Sequence, residues 1–171
     1  MKNFLNLSLL FFFAGCAGFY NQPVTVEMQN SSLLPQEFRL QFTGFVFYQS
    51  ELEIIKAELL NKGFAENKSS PILLEVILEE KEVLYRYGTL HFANFLASLI
   101  SGSIIPYYTL TEHKLRFRIS ENEKELNLHT KILQLDQLRG ISILPLTFFY
   151  WPSKAFEKSF RDSVDFSKER K

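Results

Sequence analysis

The sequence predicts an α+β fold: an antiparallel sheet of about 4–5 strands, with two helices packed on one face and two apolar segments at one end. Three observations predict it. Short stretches alternate apolar and polar residues, two segments repeat apolar residues at helical spacing, and two long segments carry no charge. The composition, 46% apolar and 22% charged, is that of a globular chain. Lys and Arg, 19 in number, balance 19 Asp and Glu, which argues against a nucleic-acid binder.

Period-two alternation predicts the strands. It occurs in residues 24–29, 38–43, 72–78, 113–119 and 126–132. The last two strands form a hairpin with its turn at residues 121–124, and an even loop would place Phe117 opposite Leu128. That register puts both apolar faces on the same side of the sheet.

Two helices follow from capping and spacing. Ser50 and Glu53 form a capping-box signature that opens an amphipathic helix over 50–62. Ser153 caps a second helix that runs over 153–168 with a narrow apolar stripe. We expect both helices to cover the same face of the sheet.

The N-terminus has the order of a secretory signal peptide: Lys2, an apolar run, then small residues before Cys16. The apolar run, roughly 12 residues, is too short for a membrane span, which needs about 20. We therefore expect residues 1–15 to be the signal peptide, 16–23 a tether and 24–171 one domain. Cys16 is the only cysteine in the chain, so no intramolecular disulfide can form.

The tetrad Phe13-Ala14-Gly15-Cys16 resembles the lipobox of bacterial lipoproteins, with Phe13 where that family usually has Leu. The resemblance implies cleavage before Cys16, a diacylglycerol on its thiol and an acyl chain such as palmitate on its amine. It also implies an outer-membrane location, facing the periplasm, because no Asp follows the cysteine. Anchoring by two or three acyl chains is stable. The alternative is an ordinary signal peptide with an incidental cysteine.

Residues 87–111 and 140–153 contain no Asp, Glu, Lys or Arg. The hairpin places both segments at the same edge of the sheet, and Pro106 argues against a membrane span in the first. Three interpretations remain open: ordinary core, an exposed surface for a membrane or a protein partner, or an enclosed pocket for an apolar ligand. The residues expected to form an interaction surface are Phe92, Phe95, Leu99, Tyr107, Tyr108, Phe148, Phe149, Tyr150 and Trp151.

The order of elements also resembles a family of small bacterial envelope lipoproteins. In that family an apolar segment with an IIP motif precedes a hairpin, and one with an LP motif precedes a terminal helix. The matching stretches here are Ile104-Ile105-Pro106 and Leu144-Pro145. The resemblance spans about residues 72–168 and implies location and fold, but no catalytic residue.

Nothing in the sequence indicates an enzyme. The predicted register places His113 and His129 on opposite faces, so they cannot share a metal, and no catalytic or metal-binding motif occurs. We expect no cofactor and no metal. The expected function is a membrane-anchored envelope lipoprotein with a structural or accessory role, which binds an envelope protein through its aromatic end. The alternative is a module that contacts lipid or binds an apolar ligand.

Overall fold

A computed structural model describes residues 15–29, 37–81, 88–122 and 124–164. This part of the chain contains seven strands: β1 (Gly15–Tyr20), β2 (Val24–Gln29), β3 (Glu37–Thr43), β4 (Ala65–Glu66), β5 (Ile72–Lys81), β6 (Tyr107–Glu121) and β7 (Lys124–Gly140). It also contains four α-helices, α1 (Gln49–Asn61), α2 (Gly88–Ile100), α3 (Leu144–Thr147) and α4 (Pro152–Ser163), with a 3-10 turn at Ile141–Ile143.

The sheet is mixed, so the predicted antiparallel sheet of about 4–5 strands with two helices is wrong. The strand order is β1-β7-β6-β5-β3-β4, and β2 also pairs with β7. β3 runs parallel to both β4 and β5. Parallel neighbours need a crossover connection, and α1 lies within the one between β3 and β5. The predicted helix at 50–62 agrees with α1, but the parallel pairing that this crossover allows between β3 and β5 was not predicted.

Two strands escaped prediction, for different reasons. β4 has only two residues, too few for any periodicity to show. β1 occupies most of the stretch assigned to the tether, and its glycine- and alanine-rich sequence shows no alternation of apolar and polar residues. The apolar positions change parity across residues 80–82, which predicts a bulge or a break there. β5 continues through Lys81, and residue 82 lies outside the described residues.

The chain divides into two compact units. The described residues of unit 1 lie within Met1–Asn21, Glu82–Thr111 and Leu135–Phe156. Those of unit 2 lie within Gln22–Lys81, Glu112–Gln134 and Glu157–Lys171.

Unit 2 has a conventional apolar core. Leu74 and Val76 of β5 lie opposite Ile119 and Phe117 of β6, and all four are buried. Ile55 of α1 is also fully buried. The alternation that predicted these strands is therefore the burial pattern of one sheet face.

The other face of β5 and β6 carries cross-strand ion pairs. Arg118 contacts Glu75, and Arg116 bonds Glu79 at 2.8 Å. At the end of the same two strands, Lys81 contacts the buried carboxylate of Glu112. These side chains neutralise one another in pairs.

β7 differs from its prediction. Its buried positions include Asn127, His129 and Leu133, whereas Leu126 and Leu128, expected to face the core, are only half-buried. Either the even-numbered or the odd-numbered positions could be assigned to the core from the sequence, because the apolar residues change parity along the strand. His129, which the sequence places on the opposite face from His113, is buried as His113 is.

Two glycines allow a test of close packing in unit 2. Gly44 and Gly63 both have left-handed φ values, +87° and +84°. A Cβ at Gly44 would lie 2.0 Å from the carbonyl oxygen of Leu78, while one at Gly63 would meet nothing within 4 Å. Gly63→Ala should lower the free energy of unfolding by about 1 kcal/mol, through backbone strain alone. Gly44→Ala should cost about 3 kcal/mol, because strain and overpacking add. Equal losses in urea denaturation would contradict the packing at Gly44.

Candidate functional site

The candidate site is in unit 1, around the strand that carries Cys16. Cys16 is partly exposed and pairs with Arg139 of β7. Its neighbours Gly15 and Gly18 lie where no side chain fits. A Cβ on Gly15 would come within 2.6 Å of the Leu144 nitrogen, and one on Gly18 within 2.6 Å of Pro152 Cα. The small residues around Cys16 therefore also meet a packing requirement against α3 and the start of α4.

Residues 148–151, which we name the aromatic loop, connect α3 to α4. Phe148 and Phe149 are 85% and 82% exposed, and Trp151 is 53% exposed. The loop is fixed to β1, because the Gly18 amide donates a 2.8 Å hydrogen bond to the carbonyl oxygen of Tyr150. The rings of Phe19 and Tyr150 also pack at 5.0 Å. The aromatic loop is thus held two residues from Cys16.

Helix α2 has its polar residues turned inward. Ser98 is its one buried residue, whereas Phe92, Leu99 and Ile100 are exposed, Ile100 by 84%. An amphipathic helix of a water-soluble domain shows the reverse arrangement, with the apolar face packed on the core. The spacing of Phe92, Phe95, Leu96 and Leu99 in the sequence predicts one helical face, and in the structure this face of α2 is exposed.

Hydrogen bonds hold α2 in this orientation. Asn94 donates to the Pro106 carbonyl at 3.0 Å and accepts from the Tyr108 amide at 2.9 Å. His91 bonds the Tyr107 hydroxyl at 2.6 Å, and the Ser103 amide donates to the Ser98 carbonyl at 2.7 Å. The polar stripe of α2, formed by His91, Asn94 and Ser98, is thus hydrogen-bonded to residues 103–108, which follow the helix in the chain.

The two uncharged segments meet, as their topology predicted. The Ile141 amide donates a 2.9 Å hydrogen bond to the Ser103 carbonyl, and a Cβ on Gly140 would lie 2.8 Å from the same oxygen. We name the exposed apolar residues of the two segments the apolar surface; it consists of Leu90, Phe92, Phe95, Leu96, Leu99, Ile100, Ile104, Ile105, Tyr108, Leu146, Phe148, Phe149, Tyr150 and Trp151.

The predicted site residues fall mainly on this surface. Tyr107 differs, because it is half-buried between His91 and Phe95, with its ring 5.7 Å from that of Phe95. Tyr108 is exposed, and its hydroxyl bonds Asp136; burial of the hydroxyl and this bond raise the pKa of Tyr108 to about 12. Ile100, Ile104 and Ile105 are exposed but were not among the predicted surface residues. They lie in the uncharged segment 87–111, which is the sequence signal that could have identified them.

No helix within the described residues has the length and hydrophobicity needed to cross a membrane. Across the same residues, no group of three or more His, Cys, Asp or Glu side chains comes close enough to hold a metal ion.

Unit 2 contains a small titratable cluster around His113. The Tyr48 hydroxyl lies 3.1 Å from His113 Nε2, and the two rings pack edge to face. Glu80 lies directly across the strand pair from His113. Burial lowers the pKa of His113 below its ordinary value, against the opposing charges of Glu80 and Glu51. Burial and the charge of Glu80 raise the pKa of Tyr48.

No protein-family model matches this chain, and no curated protein matches it either. The resemblances to the lipobox and to small envelope lipoproteins therefore stay predictions from the sequence.

His113 should make unit 2 sensitive to mild acid. Because its folded pKa lies below the value of about 6.5 in the unfolded chain, the unfolded state takes up the proton first. The contribution of His113 to the free energy of unfolding is therefore complete at neutral pH and decreases as the pH falls through about 6.5. The substitution His113→Gln should lower stability at neutral pH and flatten this decline. Urea unfolding of both proteins at pH 7.5 and 5.5 measures the difference, and parallel declines would contradict the assignment.

Proposed function

We propose that this protein is a lipid-anchored envelope lipoprotein with an accessory, non-enzymatic role, and that its apolar surface lies in the membrane interface beside the anchor on Cys16. The observation that carries the proposal is the hydrogen bond between Gly18 and Tyr150, which ties the exposed aromatic loop to the strand that bears Cys16. By the lipobox resemblance, that strand begins the mature chain.

Distance is the first argument. Cys16 belongs to a strand paired residue by residue with β7, so little free chain separates a lipid on its thiol from the folded unit. An acyl chain on Cys16 would enter the bilayer within a few ångströms of this strand. Side chains attached to β1, the aromatic loop among them, would then be held at headgroup depth.

The chemistry of the apolar surface is the second argument. Trp and Tyr concentrate at membrane interfaces because their rings are apolar while the indole N–H and phenol O–H can bond water or headgroups. Tyr108, Tyr150 and Trp151 supply such rings, and Phe148 and Phe149 supply fully apolar ones. Leaving rings of this size in water is unfavourable, since transferring one out of water lowers the free energy by about 1.5–3 kcal/mol.

The third argument is that the segments that form the apolar surface contribute no charged side chain to it. The segments that form it, 87–111 and 140–153, contain no Asp, Glu, Lys or Arg. The polar groups of α2 that would be costly in an apolar environment are already bonded to the chain at 103–108. Contact with the acyl region therefore buries apolar side chains without an unpaired ion.

Trp151 reports directly on this proposal, because it is the only tryptophan in the chain. In vesicles that carry the lipidated protein, its fluorescence should shift to shorter wavelength and be quenched by lipids labelled near the headgroup. The matched control is the Cys16→Ala protein, which cannot carry the lipid anchor and keeps Trp151 as the probe. Its Trp151 should stay largely unquenched by the same vesicles. A Trp151 probe that only water-soluble quenchers reach would contradict membrane contact.

Removing the neighbouring rings should weaken the contact. Phe148→Ser with Phe149→Ser removes the two most exposed rings of the aromatic loop and leaves the probe and the anchor in place. We expect at least a halving of the lipid quenching of Trp151, because roughly 3 kcal/mol or more of apolar transfer is lost. Phe47→Ser is the control and should change nothing. If the double variant keeps its quenching but loses a protein that cross-links to the wild type, this surface binds an envelope protein instead.

Gly15 and Gly18 test where the mature chain begins. A Cβ at either glycine would clash at 2.6 Å with backbone, at Leu144 and Pro152 respectively. If cleavage precedes Cys16, Gly15→Ala should leave the melting temperature of the mature protein unchanged, while Gly18→Ala should lower it by several degrees. Mass spectrometry of the same samples should find diacylglycerol on Cys16. A destabilised Gly15→Ala protein whose mass shows that residue 15 has not been removed would contradict the lipoprotein proposal.

A further inference from the structure

Unit 2 contains a cleft of about 400 Å³ that the membrane proposal does not use. It lies at the start of β5, between the loop that precedes β5 and the turn that follows β6. Its polar lining residues are Arg39, Lys68, Ser69, Ser70, Ser120 and Asn122. We infer that this cleft binds a phosphate group, either as the free ion or on a lipid headgroup.

The register of three strands places the cleft on the polar face of the sheet. Arg39 of β3 pairs with Leu73 of β5, which pairs with Ser120 of β6, so the three residues share one face. The next row on this face contains Glu75 and Arg118, which contact each other. The charge of that row is thus neutralised next to the cleft.

The two cations of the cleft, Arg39 and Lys68, are not paired in this way, and Lys114 of β6 also makes no ion pair with a described residue. Among the described residues neither Arg39 nor Lys68 makes an ion pair, whereas Lys56, Lys81, Arg116 and Arg118 each contact a glutamate. Two positive charges therefore line one cleft, and no carboxylate of the described residues forms an ion pair with either of them. An anion that enters would gain charge-assisted hydrogen bonds without displacing an existing salt bridge.

Among the described residues, no carboxylate lines the cleft. The side chain of Glu37 accepts a 2.8 Å hydrogen bond from the Asn67 amide and makes no ion pair with Arg39 or Lys68. Glu121 follows Ser120 in β6, and strand alternation puts its side chain on the opposite face.

The loop before β5 is held in place without the ligand. The Asn67 amide donates to the Phe38 carbonyl at 2.9 Å, and Ser70 Oγ donates to the Glu37 carbonyl at 3.2 Å. The Ile72 amide in turn donates to Ser70 Oγ at 3.2 Å. Binding would therefore need little ordering of the backbone, which is a main cost of recognition.

The lining favours phosphate over a planar carboxylate. Arg39 can donate two parallel hydrogen bonds, and Lys68 adds a compact charge. Ser69, Ser120 and Asn122 add neutral side-chain donors, and none of these three side chains makes a hydrogen bond to another described residue. A tetrahedral anion with several acceptor oxygens can use donors from all these directions. The volume leaves room for a group attached to the phosphate, since pockets for small molecules begin at about 300 Å³.

The test follows backbone amide resonances of the isotopically labelled full mature chain in maltoside micelles, which contain no phosphate, during titration with inorganic phosphate. A second arm replaces these micelles with nanodiscs that contain phosphatidylglycerol. Saturable shifts at Ser69, Ser120 and Asn122 with inorganic phosphate identify the free anion. The same shifts only with phosphatidylglycerol identify a headgroup. Either result supports the cleft, and no saturable shift in either arm would overturn it.

Matched charge variants separate a site from general attraction. Arg39→Gln and Lys68→Gln should each weaken binding about tenfold, because each removes a hydrogen bond from a charged group. Arg116→Gln and Lys56→Gln remove cations that already have glutamate partners and should leave binding within about twofold. Equal weakening by all four variants would overturn the proposal. The result does not depend on Trp151, so the cleft and the membrane contact can fail separately.

Discussion

The architecture of unit 1 depends on how the polar stripe of α2 is satisfied. His91, Asn94 and Ser98 are bonded to the chain that returns through Ser103, Pro106 and Tyr108, and those bonds occupy the inner side of the helix. Buried polar groups must be paired, so the helix cannot be rotated to bury its apolar face without leaving several of them unsatisfied. Exposure of Phe92, Leu99 and Ile100 is therefore a consequence of hydrogen bonding inside the unit.

Pairing of polar groups also distinguishes the two faces of the sheet in unit 2. Apolar residues from β3, β5 and β6 form one face, and most ions on the other face are paired across strands. Such surface pairs contribute little to stability. Arg39 and Lys68 differ because they line one cleft together and make no ion pair with a described residue, so both can bond a single external anion.

Periodicity predicted most of the elements and few of the relations between them. Five strands and two helices were located, because their apolar positions repeat at 2.0 or 3.6. β6 nevertheless begins six residues before its predicted start, and β7 ends eight residues after its predicted end. The direction of β3 was wrong, since an alternating strand reads the same whether its neighbour is parallel or antiparallel. β7 was misread because Leu126 and Leu133 favour opposite registers. The aromatic residues at the site were identified by the lack of charge around them, but whether they were core or surface depended on hydrogen bonds to the backbone of 103–108 that no composition reveals.

The place of Gly15 in β1 has a consequence for the order of events during biogenesis. Gly15 pairs with Gly140 and is packed against Leu144, so the bond between Gly15 and Cys16 lies inside a sheet. A protease needs an extended substrate that is free of such pairing. If the leader is removed at this bond, removal has to come before β1 docks on β7, and unit 1 completes its folding only after the chain has been cut at the membrane.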